Sequence, residues 1–198
     1  MAAAGQVGTG FSKPYVALYE ATTQTGVTTV SYSSGQVLAR GVEVSVEAET
    51  SDDNNFYADN QVAESAAGMF SGGTVTLTVD GLFASAEKLI MGLPSAGDDG
   101  FMAYGDSQQI PYVGIGFIRR TMTDGATKYI PYVIPKAMFN QITVSASTQE
   151  EDIDWQTQEL TAAIHRDDTD NHNWKFVGSA YTTEAAAEAV IKTKLDIS

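Results

Sequence analysis

The strongest signal in this sequence is a strict alternation of apolar and polar residues with a period of two. It appears in four segments: GVEVSVEAET (41–50), GGTVTLTVD (72–80), NQITVSASTQ (140–149) and QTQELTAAI (156–164). Successive side chains of a β-strand point to opposite faces, so each segment predicts a strand with one buried and one solvated face. That arrangement is typical of antiparallel sheets. The chain is therefore expected to fold mainly as antiparallel β-structure.

A further pair of segments is more continuously apolar. PYVGIGFIRR and KYIPYVIPKAMF flank the stretch TMTDGAT, in which Asp124-Gly125 is a hairpin signal. Pro131 and Pro135 lack the N–H group that a ladder needs, which predicts that the second strand lies at a sheet edge. Shorter strands are predicted near residues 15–19, 27–32 and 174–177.

Two helices are predicted. ASAEKLIMG (84–92) ends at a glycine with Pro94 just beyond. TTEAAAEAVIKTKL (182–195) has Thr182 as its predicted N-cap, with acidic residues early and lysines late, which suits the helix dipole. Strands joined mostly to strands, with two peripheral helices, predict a β-sandwich or barrel. The 198 residues fit one domain, residues 1–198.

One long connection, at about residues 50–72, interrupts the pattern. Loops longer than about 12–15 residues are uncommon in compact domains and are usually functional or disordered. Disordered segments are poor in aromatic residues, whereas this one contains NNFYADNQVAE. We therefore expect an ordered excursion that packs on another subunit. The predicted interface residues are Asn55, Phe56, Tyr57, Asp59, Asn60, Met69 and Phe70.

Composition excludes several classes of function. The formal charge is −14, which disfavours electrostatic binding to nucleic acids or to anionic membranes. The absence of Cys excludes disulfides, thiolate metal sites and Cys nucleophiles. No run of about 18 apolar residues predicts a membrane span. The N-terminus has no basic segment followed by an apolar run, so no secretion signal is predicted.

Candidate catalytic and metal motifs are weak. HRDDTDNH (165–172) fails the calcium-loop template and is predicted to be a solvated turn. GQVGTG lacks the ending of a phosphate-binding loop. The acidic runs SDDNN and QEEDID could pair for acid/base chemistry, but such runs are common in an acidic chain. We predict no enzymatic activity, no cofactor and no metal.

The polar faces of the four alternating segments carry no Lys or Arg. Ordinary exposed sheets mix charges of both signs, whereas here the chain has no basic residue between Gly41 and Glu87. This suggests a surface selected not to bind polyanions, although a plain solvent face of an acidic protein remains an alternative. The polar-face residues are Glu43, Ser45, Glu47, Glu49, Thr74, Thr76, Thr78, Asp80, Gln141, Thr143, Ser145, Ser147 and Glu159.

In this context the chain resembles the major tail protein, or tail tube protein, of phages with long non-contractile tails. The matching sequence segments, in order along the chain, are FYADNQVAE, GGTVTLTVDGL, PYVGIGF, KYIPYVIPKAMF, STQEEDIDWQTQEL and NWKF before a terminal helix. They span roughly residues 14–190. The last helix lacks an aromatic residue expected near its end, which leaves its docking open.

The resemblance implies a β-sandwich or split barrel of two antiparallel sheets, with a short flanking helix and a C-terminal helix. Hexameric rings stack into a tube, and each subunit lends four strands to a shared inner barrel of 24. At about 4.8 Å spacing and about 40° tilt, that barrel is ~48 Å across at the backbone and leaves a bore of ~35–40 Å, wide enough for duplex DNA. The expected lumen residues are Glu43, Ser45, Glu47, Glu49, Thr74, Thr76, Thr78, Thr143, Ser145 and Glu159.

The partners implied by the resemblance are further copies of this chain, a tape measure protein, tail tip and terminator proteins, and transiently passing DNA. The implied location is the virion, after synthesis in the host cytoplasm. Two rivals remain open at this point: a tube protein of a contractile injection system, and a soluble β-sandwich module that binds a ligand such as carbohydrate.

Overall fold

The computed structural model describes residues 5–52, 54–58, 60–66, 68–94, 100–106, 108–146, 148 and 155–198. The fold is mostly β, with 51% of residues in strands. The strands are β1 (Val7–Gln24), β2 (Val27–Val37), β3 (Gly41–Thr50), β4 (Asn54–Ala58), β5 (Gln61–Ala66), β6 (Phe70–Val79), β7 (Val113–Thr123), β8 (Ala126–Phe139), β9 (Gln158–His165) and β10 (Phe176–Val177). The helices are α1 (Ala84–Met91) and α2 (Glu184–Lys194).

Eight strands form one antiparallel sheet in the order β2-β1-β7-β8-β9-β6-β3, with β10 paired to β8. Strands β4 and β5 form a separate two-stranded sheet. The alternation correctly predicted β3, β6 and β9, and the two apolar segments are β7 and β8. Between these two strands, Asp124 and Gly125 form the predicted tight turn, both with positive φ (49° and 76°), as a two-residue hairpin of the primed type requires.

The fourth alternating segment, at 140–149, is not a strand in its described part. Residues 140–146 are irregular, although they follow β8 directly. Phe139 is buried, and Ile142 packs on the same core. Period two places residues three positions apart on opposite faces, so a regular ladder cannot serve both side chains. The ladder between β8 and β9 accordingly ends at Phe139.

The prediction that β8 is an edge strand is wrong. It pairs with β7 along one side, while its other side pairs first with β10 and then with β9. Pro135 lies between these two partners, after the β10 pairing at Val133 and before the β9 pairing at Lys136. The carbonyl of Pro131 still accepts a hydrogen bond from the Gly178 N–H at 2.8 Å. Pro135 thus occupies a change of partner, and Pro131 lies just before the pairing with β10, so neither marks an edge.

The long connection predicted as an ordered excursion at about 50–72 contains a β-hairpin in its described part. Strand β4 pairs antiparallel with β5, from Asn54 opposite Ala66 to Ala58 opposite Gln61. Asn60 has a φ of 63°, which suits a tight turn.

The main core lies between the apolar faces of the strands and α1. It includes Val75 and Leu77 of β6, Ile115 of β7, Ile134 of β8 and Ile90 of α1, all fully buried. Helix α1 ends as predicted, at Gly92 in the left-handed conformation.

Helix α2 covers a second core on the same sheet, built around Ile118, Ile191 and Leu195. Its N-cap is Thr183 rather than the predicted Thr182, because the Thr183 hydroxyl accepts the Ala186 N–H at 3.3 Å. Neither α1 nor α2, the helices of the described residues, is long and apolar enough to cross a bilayer.

Strand β3, at one end of the sheet path, contacts β1, the strand next to the other end. The ring of Phe11 on β1 lies against Gly41 at the start of β3, where a Cβ atom would come within 2.1 Å of the ring. Glycine at this position therefore permits the close approach.

Candidate functional site

The candidate site is the polar face of three adjacent strands, β3, β6 and β9, hereafter the polar face. Its side chains form rows across the sheet because all three strands pair in antiparallel register. Glu43 pairs with Thr78, which pairs with Glu159. Ser45 pairs with Thr76, which pairs with Thr161. Glu47 pairs with Thr74, and Glu49 with Gly72. The predicted residues of these three strands therefore share one surface.

The opposite face of the same strands is apolar. Val44 pairs with Leu77 and Leu77 with Leu160, while Val46 pairs with Val75. Leu77, Val75 and Leu160 are buried in the main core. The four glutamates of the polar face are exposed and its threonines are half-buried. Burial of one face thus fixes which side chains reach solvent on the other.

The cation next to β3 is paired at the border of the polar face. Arg40, just before β3, forms an ion pair with Asp80 through Nε, and its backbone N–H donates to Asp80 Oδ1 at 3.1 Å. Desolvation by itself would raise the pKa of Asp80, but the hydrogen bonds and charge of Arg40 outweigh it and lower that pKa. The positive charge of Arg40 is therefore neutralised by Asp80 at the border of the polar face.

Lys136 of β8 borders the other side of the polar face. It lies opposite His165, at the end of β9. Its ammonium group is 2.7 Å from Asp168 Oδ2 and lies over the rings of Tyr112 (4.5 Å to the centroid) and Tyr19 (5.1 Å). The hydrogen bond from Lys136 lowers the pKa of Asp168. The only Lys adjacent to the described polar strands is thus held by a carboxylate and two aromatic rings.

His165 adds no positive charge to this border at neutral pH. Burial lowers the pKa of its imidazole, and the nearby charge of Lys136 lowers it further. Its ring packs edge-on against Tyr112, with 5.3 Å between the centroids. The neutral form is therefore favoured above the ordinary pKa of 6.5.

Thr143 and Ser145, predicted on the same surface, lie outside the ladder. Both are exposed in the irregular segment at 140–146. This segment and residues 156–161 line a cleft of about 580 Å³. At its closed end, the Asn140 N–H donates to the Thr161 carbonyl at 2.8 Å.

The predicted interface residues lie in different parts of the structure. Asn55, Phe56 and Tyr57 lie in β4, which is described by its backbone, while Asp59 lies outside the described residues. Asn60 is in the exposed turn.

Met69 and Phe70 lie at the start of β6. Met69 is 67% exposed, and its carbonyl accepts the Ser51 N–H at 2.8 Å. Phe70 is half-buried and stacks on Trp174 within the same subunit, with 4.6 Å between the ring centroids. Phe70 thus packs on its own chain, and Met69 is the one of the pair that faces solvent.

The segment HRDDTDNH forms a turn, held by Asp167. Asp167 is buried, and its Oδ1 accepts the Asn173 N–H at 2.9 Å and the Thr169 hydroxyl at 2.7 Å. In the part of the chain that the structure describes, no three His, Asp or Glu residues converge to hold a metal ion. Asp167 and Asp168 of this segment thus make structural hydrogen bonds.

Sequence reasoning missed the Lys136 cluster. Tyr19, Lys136 and Asp168 are far apart in the chain, and the Tyr19 hydroxyl donates to Asp168 Oδ2 at 2.9 Å. No local pattern predicts such a contact. A Lys in an otherwise apolar strand was the one available signal, because a partly buried ammonium group needs a partner.

Comparison with protein-family models and with curated proteins finds no match for this chain.

Proposed function

We propose that this chain is a structural subunit of a phage tail tube, which polymerises as stacked hexameric rings and lets duplex DNA pass during ejection. The observation that carries the proposal is the polar face. Its rows of Glu, Ser and Thr run across three strands, and Arg40 and Lys136 at its borders are ion-paired. The proposal combines this surface with the resemblance of the sequence segments to those of tail tube proteins.

The polar face suits a conduit for DNA. Duplex DNA carries one negative charge per about 1.7 Å, and a cationic wall would release counterions and retain it. A wall of carboxylates and hydroxyls repels the backbone weakly and stays hydrated. On this proposal Glu43, Glu47 and Glu159 line the lumen, with Thr74 and Thr78 between them.

The finer architecture also belongs to the proposal. A β-sandwich or split barrel would arise if the sheet curls until β3 meets β1, and the contact of Phe11 with Gly41 supports that curl. Four strands from each of six subunits would then close the shared inner barrel. A tape measure protein inside the tube, with tip and terminator proteins at its ends, would complete the assembly in the virion.

The direct test is electron microscopy of the purified protein over a concentration series at low and high salt. Salt matters because a subunit of charge −14 repels its copies. We expect six-fold rings and stacked tubes, with more polymer at high salt, and light scattering should give multiples of six copies of the 21.1 kDa chain. A monodisperse monomer under all conditions would contradict the proposal and favour a soluble binding module.

The same specimens test the orientation of the polar face. A reconstruction of the tube should place Glu43, Glu47 and Glu159 on the inner wall. Finding them on the outer surface would overturn the role in DNA passage even if tubes form.

A further inference from the structure

The polar face is open at both of its edges. Strand β3 is the last strand of the sheet path, and among the described residues its ladder partners all lie in β6. At the other edge, β9 pairs with β8 only from Ala162 onward. Residues 158–160 of β9 therefore present one unpaired side to the cleft beside the segment 140–146. Open strand edges are templates for pairing with another chain.

The remaining edge of the large sheet, on β2, is protected. The Tyr32 N–H donates to Asp196 Oδ2 at 3.2 Å, and Gly35 lies against Ile197. The Gln36 side chain also donates to the Ser85 carbonyl at 3.0 Å. The C-terminal residues and α1 thus cover β2, whereas the contact of β3 with Phe11 is at Gly41, at the start of the strand, and the described residues form no ladder along the rest of its open edge.

The segment 140–146 has the composition of a strand and one local obstacle to forming it. Ile142 packs on the core, Val144 is 83% exposed, and Thr143 and Ser145 alternate with them. The obstacle is the spacing between Phe139 and Ile142. A one-residue β-bulge at Asn140 and Gln141 would restore the alternation, because a bulge sets two residues opposite one.

With that bulge, the register follows from the pairs already present. Ile142 would lie opposite Leu160 on the core side, and Thr143 opposite Glu159 on the polar side. Thr143 would then extend the row that runs through Thr78 to Glu43. The cleft would close, and residues 158–160 would gain ladder partners.

The strand directions also fit. Strands β9 and β3 are both antiparallel to β6 and so run the same way. The segment 140–146 continues β8, which is antiparallel to β9. It is therefore antiparallel to β3 of any copy placed beside it in the same orientation. Every neighbouring pair would remain antiparallel on going from one copy to the next.

We infer that residues 141–146 become a strand on assembly, inserted between β9 of their own subunit and the open edge of β3 of a second copy of this chain. This inference rests on the proposed function and names the contact that closes the ring. The new strand would satisfy the backbone groups of both open edges at once. In a single subunit the β3 edge of the second copy is absent, so nothing on that side offsets the obstacle that the spacing between Phe139 and Ile142 presents.

Charge excludes the simplest competing arrangement, in which two β3 edges pair with each other. An antiparallel β3–β3 pair would bring Glu43, Glu47 and Glu49 of both copies onto one face, and like charges opposite each other destabilise a sheet. Residues 140–146 carry no charge. Pairing β3 with this segment is head-to-tail, and head-to-tail contacts generate rings when the rotation closes.

A proline at position 144 tests the inference. Val144→Pro removes one N–H from the new strand, whereas in the single subunit the residue is exposed and outside any ladder. We expect an unchanged melting temperature and at least a tenfold rise in the protein concentration needed for tube formation. Val144→Thr, which keeps the N–H and the β-branch, is the matched control. Equal assembly of the proline and threonine variants would overturn the inference.

Engineered cysteines identify the partner strand, because the chain has no Cys of its own. Subunits carrying Thr143→Cys are mixed with subunits carrying Cys at position 43, 45 or 47 of β3, assembled and oxidised. We expect disulfide-linked dimers with at least one β3 position and none with the β2 control Ser31→Cys, since cross-strand neighbours alone meet disulfide geometry.

The outcomes separate the two proposals. Tubes without a link between position 143 and β3, or with links to β2, overturn the strand insertion and leave the tube function standing. A wild-type protein that never assembles overturns the tube function, and the strand insertion falls with it.

Discussion

Gly116 of β7 lies directly beneath Ile191 of α2: a Cβ atom on Gly116 would come within 2.4 Å of Cγ2 of Ile191. Gly114, two residues earlier on the same face, would meet Leu195 and Tyr32 in the same way. The two glycines of PYVGIGF thus form a flat surface on which the last helix rests. An aromatic residue near the end of α2 is not needed for this docking.

We predict that Gly116→Ala destabilises the subunit by about 1–3 kcal/mol, as overpacking of a fitted core does. Urea unfolding would measure the free energy change. Gly10→Ala on β1 is the control, because a Cβ atom added at Gly10 would lie 3.9 Å from its nearest neighbour, Cβ of Arg120. This control should change the free energy of unfolding by no more than about 0.5 kcal/mol. Equal effects at both positions would mean that the helix does not rest on Gly116.

The second anchor of α2 is ionic and depends on pH. Glu188 accepts hydrogen bonds from Lys13 and Tyr15, and Lys192 lies one turn away. The hydrogen bond from Lys13, followed by that from Tyr15, lowers the pKa of Glu188 from 4.5 to about 2. Because the folded-state pKa is depressed, the contribution to stability is complete above pH 4.5 and is lost as the pH falls toward 2.

We predict that Glu188→Gln lowers the free energy of unfolding at pH 7 by about 1 kcal/mol, a modest value because Lys13 is solvent-accessible. The difference from wild type should shrink between pH 4.5 and pH 2. Unfolding series at several pH values would measure it, with the exposed Glu20→Gln as the control for a lost surface charge. A difference that persists at pH 2 would show that the carboxylate charge is not responsible.

The sequence predicted those parts of the fold that local pattern and burial decide together. In β6 and β9, and at Val44 and Val46 of β3, the alternating apolar residues pack on the core, so the period of two predicted both the strands and their polar surface. Val42 is 55% exposed, at the register shift near the start of β3. At 140–146 the alternation was equally clear. Phe139 and Ile142 are three positions apart, however, so a regular strand would place them on opposite faces. The alternation within one segment does not show which of its two faces continues the buried face of the preceding strand.

Partners that are distant in the chain were beyond local reasoning. The edge prediction for β8 treated Pro131 and Pro135 as breaks in a ladder, whereas the strand changes partner at Pro135. The capping residue was missed by one position because Thr182 and Thr183 are equally able to cap. Lys136 lies in β8, and Asp168 lies in the turn that follows β9. Only the pairing of these two strands brings the two side chains together.

Charge reversal on the polar face tests its role in DNA passage. We predict that Glu47→Lys combined with Glu49→Lys gives tubes that bind duplex DNA at low salt, with an affinity that falls steeply as salt rises. Wild-type tubes should not bind measurably. Fluorescence anisotropy of a labelled duplex, titrated with tubes, measures the affinity, and the rate of DNA ejection from assembled particles measures the consequence.

The control for charge reversal is Glu20→Lys combined with Asp106→Lys. Both residues are exposed and lie off the polar face, and the change in net charge is the same. Binding by the control but not by the Glu47/Glu49 variant would place the DNA-facing surface elsewhere. Normal ejection by the Glu47/Glu49 variant would remove the argument that the wall is selected for passage.

The hairpin of β4 and β5 carries two aromatic residues whose role in assembly can be tested. It is a two-stranded sheet separate from the main sheet, and isolated two-stranded hairpins are marginally stable in water. Phe56 and Tyr57 lie in β4, next to the turn at Asn60. Aromatic anchors commonly dominate interface energetics, so we assign these two residues to a contact with another subunit.

We predict that Phe56→Ala combined with Tyr57→Ala leaves the melting temperature of the subunit within about 2 °C of wild type, because β4 and β5 form a sheet of their own beside the main sheet. Tube formation should be lost, as judged by sedimentation and microscopy. Phe56→Leu combined with Tyr57→Phe keeps apolar volume and should assemble. Unfolding of the alanine variant would show that both rings stabilise the subunit itself. Normal assembly of that variant would show that the hairpin makes no essential contact between subunits.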